Sequence, residues 1–106
     1  MTEKLSDTLK FSVGQLVHHK RFDYQGVIFD VDEIFKGTEE WYQQMAISKP
    51  PKDEPWYHVL VDEALHTTYV AERNLEFDPS RTSINHPMIE EVFTGFKAGR
   101  YERVLN

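Results

Sequence analysis

Apolar residues recur with a period of two in several short stretches, each closed within a few residues by glycine, proline or a polar cluster. A chain with that rhythm folds as a sheet of short strands. In "FSVGQLVHH", Phe11, Val13 and Val17 fall on one alternating face and Leu16 on the other. In "GVIFDVD", Val27, Phe29 and Val31 share a face, opposite Ile28, Asp30 and Asp32. The intervening "KRFDYQ" is polar with aromatic insertions and ends at Gly26, as a hairpin connection should. In the next hairpin Tyr57, Val59 and Val61 alternate with Trp56, His58 and Leu60. "DEAL" then makes the turn, and "HTTYVAE" returns in β-branched and aromatic residues. Leu75 and Phe77 anchor the segment after it.

Two stretches leave this period. Thr38 is placed to cap a short helix whose first turn carries Glu39 and Glu40, where the helix dipole favours anions. Trp41, Tyr42, Met45 and Ala46 lie on one face of it, and Pro50-Pro51 stops it before the exposed loop "SKPPKDEP". Near the C-terminus, Pro87 stands where a helix likes to begin. Met88, Ile89, Val92, Phe93 and Phe96 follow at helical spacing, and Gly99 ends the run. That spacing predicts a C-terminal helix.

A chain of 106 residues holds one core, so residues 11–104 are expected to form a single domain behind a polar, flexible segment at 1–10. A β-sandwich needs more strands than the four or five here, and an α/β fold needs a helix between each pair. The expected fold is mainly β: a small, strongly bent barrel with a short helical insertion and a C-terminal helix.

No feature of the chain assembles a reaction centre. There is no cysteine, which removes thiol nucleophiles and disulfides and fits a reducing cytoplasm. The N-terminus lacks an apolar signal region and no segment is long enough to span a bilayer, so a soluble, cytoplasmic protein is expected. On a strand, His18 and His19 point to opposite faces and cannot chelate together. His58 and His66 could face each other across the second hairpin but lack a third ligand. "DVDEIF" resembles a calcium loop only at its start, because Ile34 and Phe35 occupy positions that need an oxygen ligand and a glycine. No serine sits in a nucleophile elbow and no glycine-rich phosphate loop is present. No catalytic residue, metal or cofactor is assigned, and the chain reads as a binding protein rather than an enzyme.

Two kinds of partner then compete. Nucleic acid would be met by cations, and the candidates are Lys20 and Arg21 with Lys97, Arg100 and Arg103. Yet 12 basic against 18 acidic residues leave a net charge of −6, the wrong sign for a duplex binder. A protein partner would be met by Trp41, Tyr42, Trp56 and Tyr57, since such aromatics dominate binding energy at interfaces. The alternative is that they pack at the edge of the core with one end wet.

Taken in order, "KFSVGQLVHHKRFDYQGVIFDVD", "PWYHVLVD", "TYVAERNLE" and "HPMIEEVFTGFKAGRY" resemble the YccV-like domain. This is the family of the heat shock protein HspQ, also called the hemimethylated-DNA-binding domain. The resemblance runs from about Lys10 to Tyr101. It implies an SH3-like β-barrel and two functions. One is a regulatory role in protein quality control, as specificity factor for an ATP-dependent protease such as Lon and its client proteins. The other is binding of hemimethylated DNA, with an influence on expression of the replication initiator. It also implies related domains in a plastid Clp-protease adaptor and in F-box proteins of ubiquitin ligases, and a homo-oligomer, trimeric by family precedent. Acidic charge and abundant aromatics favour the protein-binding role, with hemimethylated DNA as the alternative.

Overall fold

A computed structural model describes residues 9–103 of the chain. Leu16–His19 (β1) and Gln25–Asp32 (β2) form the first hairpin, with Leu16 opposite Val27. β2 pairs antiparallel with Trp56–Val61 (β3), and β3 with Thr67–Ala71 (β4). A single 3-10 turn at Glu72–Asn74 then lets Leu75–Phe77 (β5) return beside β1. The sheet order is β4-β3-β2-β1-β5, so β4 and β5 are its edges and are not hydrogen-bonded to each other among the described residues.

Both faces of this sheet are buried, as the alternation requires. Val17, Ile28, Tyr57, Val59, Val70 and Leu75 join Phe11 in one cluster to which all five strands contribute. A flat sheet cannot bring its two edge strands to one cluster, so the sheet curls around it. Tyr24 supports the same point, because its hydroxyl lies 2.7 Å from that of Thr68 on β4. The opposite face carries Leu16, Val27 and Leu60, covered by Ile84, Phe93 and Tyr101 from the C-terminal segment. One face assignment changes. The register between β2 and β3 shifts between Ile28 and Asp30, a bulge at Phe29, so Phe29 stays with Val27 while Val31 crosses to the Ile28 side. The strand foreseen from Phe11 also starts later, at Leu16, because the chain turns at Gly14.

Glu39–Met45 (α1) is capped as expected, with the Thr38 hydroxyl accepting from the Trp41 N–H at 3.1 Å. Tyr42 and Ala46 of this segment pack on Trp56 and Ala71, but Met45 is 60% exposed and does not share their face. The C-terminal helix is corrected. Only Ile89–Val92 (α2) is helical, and Gly95–Lys97 (β6) and Arg100–Glu102 (β7) form a hairpin where the helix was foreseen to continue. Ala98 and Gly99, with φ of 55° and 78°, make its two-residue turn, the left-handed pair that matches hairpin twist. Phe96 and Tyr101 stand opposite each other across it, so their spacing serves period two rather than 3.6. Tyr101 locks the hairpin to the sheet, its N–H donating to the Gly14 carbonyl at 2.9 Å and its hydroxyl accepting from the Ile84 N–H at 3.0 Å.

No helix among the described residues is long and apolar enough to cross a membrane.

Candidate functional site

β4 is an edge strand with a usable backbone. The Glu72 N–H donates to the Pro55 carbonyl at 3.0 Å, which fixes this pair as hydrogen-bonded at the end of the β3–β4 ladder. Hydrogen-bonded and non-bonded pairs alternate in an antiparallel ladder. The N–H and C=O of Thr67 and Tyr69 therefore point away from β3, and neither residue's backbone has a hydrogen-bond partner on that side among the described residues.

A groove of about 470 Å³ runs along this edge. One wall is the end of α1 and the residues after it, Trp41, Met45 and Ile47; the other is the β1–β2 turn, with His19, Arg21 and Phe22. Phe22, Met45 and Ile47 are 57%, 60% and 64% exposed, so three large apolar side chains from two walls line one opening. Although the chain carries 18 acidic residues, none among the described residues lines the groove; Arg21 is the one permanent cation there among them, with His19, His58 and His66 also in the lining.

His19 is 4% exposed. Its Nδ1 accepts from the Arg21 and Phe22 N–H groups, both at 3.1 Å, so the neutral ring carries its proton on Nε2. Burial, followed by the neighbouring His18 and Arg21, holds its pKa below the ordinary value. No buried side-chain nitrogen lacks a partner among the described residues, and Nε2 makes no hydrogen bond there, so Nε2–H keeps a small exposed surface on a residue that lines the groove. His18, on the opposite face, is held between Asp23 at 2.6 Å and Glu76 at 2.8 Å, and these two carboxylates raise its pKa. At the other end of the groove the Tyr69 hydroxyl donates to Asp32 at 2.7 Å, and His58 Nε2 lies 3.0 Å from the same oxygen. Burial and the Asp32 bond push the Tyr69 phenol above its usual range.

The four aromatics singled out in the sequence separate. Trp41, Tyr42 and Trp56 meet with Phe35 and Tyr69 in one cluster, Trp56 and Tyr69 having ring centroids 5.2 Å apart. Trp56 is 1% exposed and donates through Nε1 to the Pro51 carbonyl at 3.0 Å, while Tyr42 donates to the Pro50 carbonyl at 2.6 Å. Both are core residues that fasten the proline loop. Tyr57 lies in the other cluster, fully buried; its hydroxyl donates to Glu72 at 2.5 Å and accepts from the Phe11 N–H at 3.3 Å. Trp41 and Trp56 both line the groove, but of the four only Trp41 is more than marginally exposed.

The cations are not gathered either. Lys20 and Arg21 are exposed beyond the end of β1, whereas Arg100 bridges to Gln15 before its start, roughly 16 Å away along the strand. Arg100 donates to the Ser12 hydroxyl and the Val13 carbonyl at 2.8 and 3.1 Å, and Arg103 to the Phe29 carbonyl at 3.4 Å. Lys97 is exposed on the same hairpin. His58 stands opposite Tyr69 rather than His66, and no three metal-ligating side chains cluster among the described residues.

The groove-lining His19, Phe22, Met45, Ile47, Thr67 and Tyr69 were not foreseen. Their common signal, a stretch of wall without acids, is dispersed over three segments of the chain and becomes visible only when the sheet curls.

A profile of the family described as "YccV-like: Hemimethylated DNA-binding protein YccV like" matches residues 9–100. The chain is also similar to F-box only protein 21 from Homo sapiens and from Pongo abelii, 31% identical over 93 residues in each. The mouse protein of that name (Mus musculus) is matched at the same identity. These alignments cover 86% of this chain but only 15% of the relatives, so the chain spans a small fraction of their length.

Proposed function

We propose a function on this footing: the chain belongs to the YccV-like family, whose name is that of a hemimethylated-DNA-binding protein. Its role is that of a regulatory binding module in protein quality control, which presents a polypeptide to an ATP-dependent protease of the Lon type and carries no reaction centre of its own. The observation that carries this reading is the groove beside β4, apolar at Phe22, Met45 and Ile47 and lined by no carboxylate among the described residues, in a chain of net charge −6. The F-box only protein 21 matches support it, since there the same kind of domain makes up a small part of a longer chain, as a docking module would. We read the curled five-stranded sheet, with β5 returning beside β1 after one 3-10 turn, as an SH3-like barrel whose seam is open at this groove.

The test is reconstituted degradation of a panel of substrates by Lon and Clp proteases, with and without the chain. A changed rate for at least one substrate is expected; unchanged rates for all would overturn the reading. The family's name favours a second reading, binding of hemimethylated DNA through Lys20, Arg21 and Lys97. Divided cations oppose it, and at physiological salt a titration is expected to find no preference for hemimethylated over unmethylated duplex.

A further inference from the structure

We propose that the groove takes an extended peptide as an additional strand on β4, one with alternating apolar side chains and an acidic residue at the end that reaches Arg21. The inference rests on the protein-docking reading and specifies what is docked and how.

Four observations meet at one place. The Thr67 and Tyr69 N–H and C=O groups face outward at the spacing of an antiparallel partner, so an added strand would find alternate donors and acceptors ready. His19, almost wholly buried, lines the same space, and its Nε2–H, without a partner among the described residues, is available to donate to a peptide carbonyl or carboxylate. Phe22 on one wall and Met45 and Ile47 on the other leave apolar surface for side chains that project from one face of that strand, every second residue. The fourth is charge. An acid-rich chain that keeps the carboxylates of its described residues out of this groove's lining, and sets Arg21 there, repels acidic peptides least here and selects for an acid at the Arg21 end. Natural sheets usually protect an edge with a charge, proline or bulge, and none of these lies within Thr67–Ala71.

The test uses the full chain and synthetic nine-residue peptides, acetylated and amidated, in which valine and threonine alternate. One set carries aspartate at one end or the other, one set lysine, and one set neither. Calorimetry and amide exchange by NMR read the result. An aspartate peptide is expected to bind at least tenfold tighter than its lysine counterpart, and to slow exchange at Thr67 and Tyr69. N-methylating alternate peptide amides on the paired edge should abolish binding, while N-methylating the other set should leave it intact. Arg21→Glu should erase the aspartate preference without unfolding the chain, because Arg21 is exposed. Absence of binding by every peptide at millimolar concentration, or equal binding of both N-methylated sets, would overturn the inference. Thr67→Pro removes an outward N–H from an edge position that tolerates proline. If that variant still alters proteolysis while the peptides fail, the strand-addition inference falls and the quality-control reading stands.

Discussion

Replacing Trp56 by alanine should separate core from interface among the aromatics of this chain. Trp56 is 1% exposed, and a buried tryptophan removes roughly 200 Å² from water, about 5 kcal/mol at roughly 25 cal/mol per Å². Alanine retains part of that burial but leaves a cavity among Phe35, Tyr42 and Tyr69, so a loss of about 3–5 kcal/mol is expected. The Nε1–H bond to Pro51 adds about 1 kcal/mol and frees the proline loop. Trp41 touches the same rings but is half-exposed, and no hydrogen bond holds its indole among the described residues; Trp41→Ala should cost about 1 kcal/mol. Urea unfolding followed by circular dichroism measures both through the midpoint, with the slope unchanged. Domains of this size are stable by about 5–15 kcal/mol, so the Trp56 variant stands near the limit of folding and Trp56→Phe, at about 1–2 kcal/mol, gives a readable second point. Equal losses for Trp41→Ala and Trp56→Ala would refute the division between a groove wall and a core.

Gly14→Ala should be far costlier than a helix or loop glycine substitution, at least about 3 kcal/mol, because Gly14 has φ of 95° and a Cβ there would lie 2.2 Å from the Tyr101 carbonyl oxygen. Thermal melting checks this, and a variant as stable as the parent would disprove the Gly14–Tyr101 lock. The adjacent histidines should depend on pH with opposite signs about their ordinary value of 6.5. His18, raised by Asp23 and Glu76, contributes stability that is complete below 6.5 and lost as pH rises through its folded value. His19, lowered by burial, contributes fully above 6.5 and loses that contribution as pH falls toward its folded value. The stability lost in His18→Gln should thus shrink on raising the pH and that in His19→Gln on lowering it. Parallel curves from denaturant titrations would show the assignment to be mistaken.

The strands were legible because their alternation is enforced by burial on both sides: Val17 and Leu16, or Val59 and Leu60, enter different clusters as neighbours should. What escaped was set by geometry that periodicity does not encode. Phe96 satisfies helical spacing from Val92 and also strand pairing with Tyr101, and Thr94-Gly95 with the Ala98-Gly99 turn decides for the hairpin. Phe29 occupies a bulge, which no count of alternate residues reveals. Among the aromatics the residue type was informative but exposure was not; Trp56 and Trp41 are equally suited to an interface, and only packing beneath α1 separates them. The groove itself joins His19 to Thr67, residues remote in the chain, through the curl of the sheet.

The most direct measurement is amide hydrogen exchange across the chain, alone and with a substrate whose degradation it alters. Slowed exchange at Thr67 and Tyr69, with the β6–β7 hairpin unaffected, is the predicted outcome. Unchanged exchange along β4, with slowing at Lys20, Arg21 and Lys97 on adding hemimethylated duplex, would contradict it.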